Sequence, residues 1–96
     1  MTELKIFSKS PDLLKKIIET ALSERLRSVE KGIEQTQERI KVFENQYQLS
    51  TEEFIKRFND NELAHSFDFD EWVGESRMLE HLQTTKEMLE DVYFVN

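Results

Sequence analysis

From Leu22 to Tyr47 the chain repeats a 4-3-4-3 spacing without a break: Leu22, Leu26, Val29, Ile33, Thr36, Ile40, Phe43, Tyr47. A 3.5-residue period sets these side chains on one continuous stripe of a helix, the pattern of a coiled-coil seam, with Thr36 its only polar member. Such a seam must meet another helix, in the same chain or on a second molecule. The expected fold is therefore all-α: a long antiparallel helical hairpin of coiled-coil character with a short connecting helix, and self-association is expected with it.

With only Gly32, Gly74 and Pro11 among 96 residues, few positions can make tight turns, and a charged fraction of 34% suits long solvated helices. A single helical domain over residues 1–96 is expected, too small for a deep enclosed pocket. Disulfides and thiolate zinc sites are excluded because no cysteine is present, and a cytoplasmic location is expected. Residues 1–5 lead into no long apolar run, so neither a secretion signal nor a membrane span is expected.

The net charge of −7 is unevenly placed. Residues 1–27 carry six basic and four acidic side chains, whereas residues 28–96 carry seven basic and sixteen acidic. An acidic body repels phosphates, making nucleic acid a poor partner, and steers encounters with a basic protein. Acid on helices also serves plain solubility.

Helix boundaries are well marked. Ser10-Pro11 puts a capping hydroxyl before a proline at the first helical position, so a first helix is expected over 11–47. Gly32 inside it costs ~1 kcal/mol relative to alanine and can admit a bulky neighbour such as an aromatic ring. Ser50 with Glu53 forms a capping box, and Leu49 with Phe54 a hydrophobic staple, starting a second helix over 51–59 that ends at Asn59-Asp60-Asn61. Asp68 and Glu71 repeat the box spacing, which places the third helix at about 69–93.

Antiparallel pairing of the long helices gathers Phe43, Tyr47, Phe54, Phe58, Phe67, Phe69 and Trp72 at the closed end, and the structural core is expected from Phe43, Tyr47, Phe54, Phe58, Phe69, Trp72 and Leu79. A third helix of ~25 residues leaves ~18 Å of the first uncovered, over about residues 11–22. That overhang holds the most apolar stretch of the chain: Leu13, Leu14, Ile17, Ile18, Ala21 and Leu22. These six are the candidate partner-binding residues, since an apolar patch without a companion marks an interface. The competing expectation is that residues 1–9 and the tail 92–95 fold back over it.

No catalytic, cofactor or metal site is expected. His65 and His81 are sixteen residues apart and neither has a second histidine at helical spacing. Asp60, Glu62, Asp68, Asp70 and Glu71 lack the central glycine and ligand alternation of a calcium loop. Phosphate loop, nucleophile elbow and Ser-His-Asp arrangement are all missing, so the chain does not read as an enzyme.

The run from Phe43-Glu44 through Tyr47 and Ser50-Thr51-Glu52-Glu53-Phe54, followed by Asn61-Glu62-Leu63 and Asp70-Glu71-Trp72, resembles a group of small helical prokaryotic antitoxin-like proteins. Their pattern reads roughly Phe-Glu-x-x-Tyr, Ser-x-x-Glu-Phe, Gly-Glu-Leu and Asp-x-x-Glu-Trp, and the resemblance covers residues 33–90. Asn61 and Gln48 stand where that pattern favours glycine. The resemblance implies a protein that neutralises a toxin, often encoded beside it, and the acidic body adds the expectation that this partner is basic and acts on nucleic acid. Two alternatives accompany this expectation: a self-associating coiled-coil scaffold, as a homodimer, and an acidic phage-encoded inhibitor that imitates nucleic acid. DNA binding by the chain itself is not expected, because its one basic cluster, Lys5, Lys9, Lys15 and Lys16, has no helix-turn-helix beside it.

Overall fold

A computed structural model describes residues 7–92 as three helices: α1 (Pro11–Tyr47), α2 (Thr51–Asn59) and α3 (Phe67–Glu90). The long helices pack antiparallel as a hairpin, and α2 closes one end. The long dimension of 59 Å is essentially that of α1, whose 37 residues rise ~1.5 Å each.

From Leu26 to Tyr47 the seam faces α3, and its first member, Leu22, lies past the end of that helix. Val29, Thr36, Ile40 and Phe43 are buried, while Leu22, Leu26, Ile33 and Tyr47 are half-buried. Paired positions fix the register: Tyr47 meets Asp68, Phe43 stacks on Trp72, Arg39 meets Glu75, Gly32 faces Leu82, and Glu30 meets Lys86. The neighbour of Gly32 is thus aliphatic rather than aromatic. A Cβ there would lie 3.3 Å from Leu82 Cδ1, so glycine lets the leucine sit against the α1 backbone.

Thr36, the polar member of the seam, is 1% exposed. Its hydroxyl accepts from Arg39 Nη2 at 3.3 Å, while Arg39 Nε lies 3.0 Å from Glu75 Oε2. That inner carboxylate oxygen has no directed hydrogen bond and is balanced by the guanidinium charge instead. A polar layer of this kind penalises helical slippage, because any shift would bury these groups unpaired.

Each helix end has its own solution. Pro11 occupies the first position of α1, but Ser10 (φ −131°, ψ 69°) makes no side-chain cap bond, and its N–H donates to Ser8 Oγ at 3.1 Å. Ser50 caps α2 as expected, accepting from Glu53 N at 3.2 Å. Glu53 does not return the bond; it pairs with Arg57 at 3.1 Å, so the box is one-sided. The third helix begins at Phe67, two residues before the expected start. Ser66 accepts from Phe69 N at 3.1 Å, which leaves the Asp68 carboxylate free to take the Tyr47 hydroxyl across the hairpin. It ends at Glu90, and Tyr93 lies outside the described residues.

Phe43, Phe54, Trp72 and Val73 form the buried cluster at the closed end, with Tyr47, Leu49, Phe58 and Phe69 among the half-buried residues around it. One expectation for this core fails. Phe67 is 90% exposed, because the first position of α3 points some 140° around the helix from Trp72. Leu79 is half-buried but two turns beyond Trp72, outside the aromatic cluster.

Candidate functional site

Extending the observed register brings the end of α3 level with about residue 25 of α1, so roughly the first four turns of α1 outrun their companion helix. The six candidate residues lie there in two rows at i, i+4 spacing. Leu14, Ile18 and Leu22 make the inner row, half-buried and continuous with the seam residue Leu26. Leu13, Ile17 and Ala21 make the outer row, with Leu13 61% and Ile17 59% exposed. Helical spacing alone brings all six together on one side. Of the residues expected to cover this face, Phe7 is 93% exposed, whereas Leu4, Ile6 and Tyr93 to Val95 of the tail lie outside the described residues.

The polar surroundings of the overhang are mixed in sign. Lys15 Nζ lies 3.9 Å from Glu19 Oε1, and Lys9, Asp12 and Lys16 are exposed nearby. Further along the hairpin, a surface groove of about 410 Å³ is lined by Arg27, Glu30, Lys31, Glu34 and Lys86, with Ile33 its apolar lining residue. Opposed charges at its rim give it no single sign to select a ligand. Among the described residues no group of three or more acidic or histidine side chains could hold a metal ion, and no helix is long and apolar enough to cross a membrane.

The closed end is held by a relay through three helices. Trp72 Nε1 donates to Thr51 Oγ1 at 2.9 Å, and the Thr51 hydroxyl donates to Glu44 Oε2, also at 2.9 Å. The same Glu44 oxygen accepts from Thr51 N at 2.8 Å, and the Glu44 carbonyl accepts from Leu49 N at 3.2 Å. Glu44 therefore fixes the angle between α1 and α2. Sequence spacing gave no sign of this role; the usable signal was a carboxylate seven residues before a helix-start threonine.

Tyr47 donates its hydroxyl proton to Asp68, and this bond raises its pKa above the ordinary tyrosine value, with desolvation and the Asp68 charge acting in the same direction. Gln48 and Asn61 are the non-glycine residues with positive φ among those described, at 51° and 58°. Both positions demand the left-handed backbone that glycine adopts most easily. Spacing also failed to single out the outer face of α3, where Phe67, Gly74 and Met78 are all exposed. Comparison of the chain with protein-family models, characterised proteins and solved structures finds no match.

Proposed function

We propose that this chain is a protein-binding helical module, an inhibitor of antitoxin type that neutralises a basic partner protein in the cytoplasm by steric and electrostatic occlusion. The observation that carries this reading is the apolar overhang: Leu13 and Ile17 are more than half exposed on a part of α1 that outruns α3. Leu13, Leu14, Ile17, Ile18, Ala21 and Leu22 act as the anchors, in the way a few central apolar side chains dominate an interface. The excess of carboxylates over residues 28–96 then blocks the partner's cationic surface. The likeness of residues 33–90 to small antitoxin-like proteins points the same way.

A second reading has its own support. The inner row runs without interruption into the seam, so a second hairpin pairing along it would continue the same packing as a twofold homodimer. Mass in solution, alone and after co-expression with the product of the neighbouring gene, decides between the two. An inhibitor is recovered with that product, and Leu14→Asp with Ile18→Asp abolishes the complex while circular dichroism keeps its helical signal. A homodimer indifferent to the neighbour overturns the inhibitor reading, and a complex that survives the double substitution removes the overhang as its interface. If the complex dissolves in moderate salt, carboxylates rather than apolar anchors carry it, as in a mimic of nucleic acid.

A further inference from the structure

The two glycines of the chain stand in opposite circumstances. Gly32 has a reason inside the fold, since a Cβ there would press on Leu82 at 3.3 Å. Gly74 has none: it lies mid-helix in α3, exposed, and a Cβ would meet nothing within 4 Å. Glycine is the poorest helix former after proline, so folding alone disfavours it at this position.

Two exposed apolar side chains share its outer face. Phe67, seven residues earlier, is 90% exposed, and Met78, four residues later, is 49% exposed. These intervals set the three within about 40° on one side of the helix, over ~16 Å. The glycine makes a notch one turn from Met78 and two turns from Phe67, with Asp70 and Glu71 on the turn between Phe67 and the notch, where another backbone can approach closely. The flank of this face nearest the tip is acidic. Asp70, which meets His65 at 3.6 Å, and Glu71 are both exposed there, and from Phe58 to Ser76 the chain has six carboxylates and no lysine or arginine. Arg77 bounds the lower end.

We propose that the outer face of α3, from Phe67 across Gly74 to Met78, docks a basic amphipathic helix of a partner protein. The partner's apolar side lies in the notch, and its lysines or arginines meet Asp70 and Glu71. Charge selects this occupant over an identical acidic stretch of a second copy. The surface is separate from the α1 overhang, so it stands or falls independently of that reading.

The chain's own composition supplies the test, because only two glycine amides will appear in a ¹⁵N–¹H correlation spectrum. The labelled full chain is titrated with an 18-residue helical peptide that has one leucine face and lysine flanks. The Gly74 signal should move saturably while the Gly32 signal stays. Gly74→Leu, and Phe67→Ala with Met78→Ala, should weaken the response of the remaining nearby amides, Asp70 and Glu71, at least tenfold; Gly74→Ala, which keeps the helix, should weaken it less. The response should persist in Leu14→Asp with Ile18→Asp. The proposal is overturned if Gly74 does not move, if Gly32 moves equally, or if a scrambled peptide of equal charge without an apolar face acts alike. It is also overturned if the overhang substitutions remove the response, or if Gly74 shifts with protein concentration alone, which would make the occupant a second copy.

Discussion

Trp72 lies flat on Phe54, with ring centroids 3.9 Å apart and planes within 4°, and its indole nitrogen reaches past that ring to the hydroxyl of Thr51 at 2.9 Å. One side chain thus joins all three helices, by stacking to α2 and Phe43 of α1 and by a hydrogen bond to the first residue of α2. Thr51→Val should lower stability by ~1–3 kcal/mol, because the buried indole N–H and the Glu44 carboxylate both lose a partner. Thr51→Ser, which keeps the hydroxyl, should lose much less. Urea denaturation followed by Trp72 fluorescence measures both; equal losses would remove the hydrogen bond as the cause.

Core and overhang should respond differently to substitution. Trp72→Ala should cost ~3–5 kcal/mol through loss of a fully buried aromatic side chain. Leu13→Ser with Ile17→Ser, both on the exposed outer row, should change monomer stability by less than ~1 kcal/mol in the same assay. A large loss from the serine pair would mean that the outer row is packed rather than presented.

Turn backbone offers a gain. Gln48 and Asn61 hold left-handed conformations that cost a side-chain-bearing residue roughly 1 kcal/mol or more, asparagine less than glutamine. Gln48→Gly should raise stability by ~0.5–1 kcal/mol, even though it gives up the bond from Gln48 Nε2 to the Asn45 carbonyl at 2.7 Å. Asn61→Gly should gain less. Thermal melting of the two variants ranks them, and a drop for Gln48→Gly would show that the side-chain bond outweighs the strain.

Alkaline pH should loosen the closed end. The folded-state pKa of Tyr47 is raised by its bond to Asp68, so the neutral tyrosine is favoured by folding. Its contribution is fully present below the ordinary tyrosine range near 10 and is lost as pH rises through the higher folded value. Denaturation midpoints collected from pH 8 to 11.5 should fall at the alkaline end, and Tyr47→Phe should flatten that fall. An unchanged slope in the variant would place the alkaline loss elsewhere.

Periodicity revealed most of this fold because a long hairpin is the architecture in which one-dimensional spacing maps most directly onto contact. The Leu22–Tyr47 seam, the start of α1 at Pro11 and the Ser50 cap all follow from local rules. The difference in helix lengths then placed the overhang at Leu13–Leu22. What spacing missed depended on rotation and on distant partners. Phe67 sits two residues from Phe69, yet helical phase turns it outward while Phe69 packs inward. Asp68 looked like a cap because capping is the local use of a carboxylate; its partner, Tyr47, is 21 residues away. Glu44 and Arg39 likewise do their work across a turn or across the hairpin, where no short pattern points.

The concentration of aromatic rings at one end also has a kinetic meaning. Tyr47 and Asp68 are 21 residues apart in the chain, Trp72 and Thr51 likewise, whereas Glu30 and Lys86 are separated by far more. Loop-closure entropy therefore favours forming the tip first, and each later turn of pairing closes only a small additional loop. The molecule should fold as a zip, fastened at the tip and run toward the overhang, and amide exchange should be slowest beside Phe54 and Trp72 and quicken steadily toward Leu26 and Leu89.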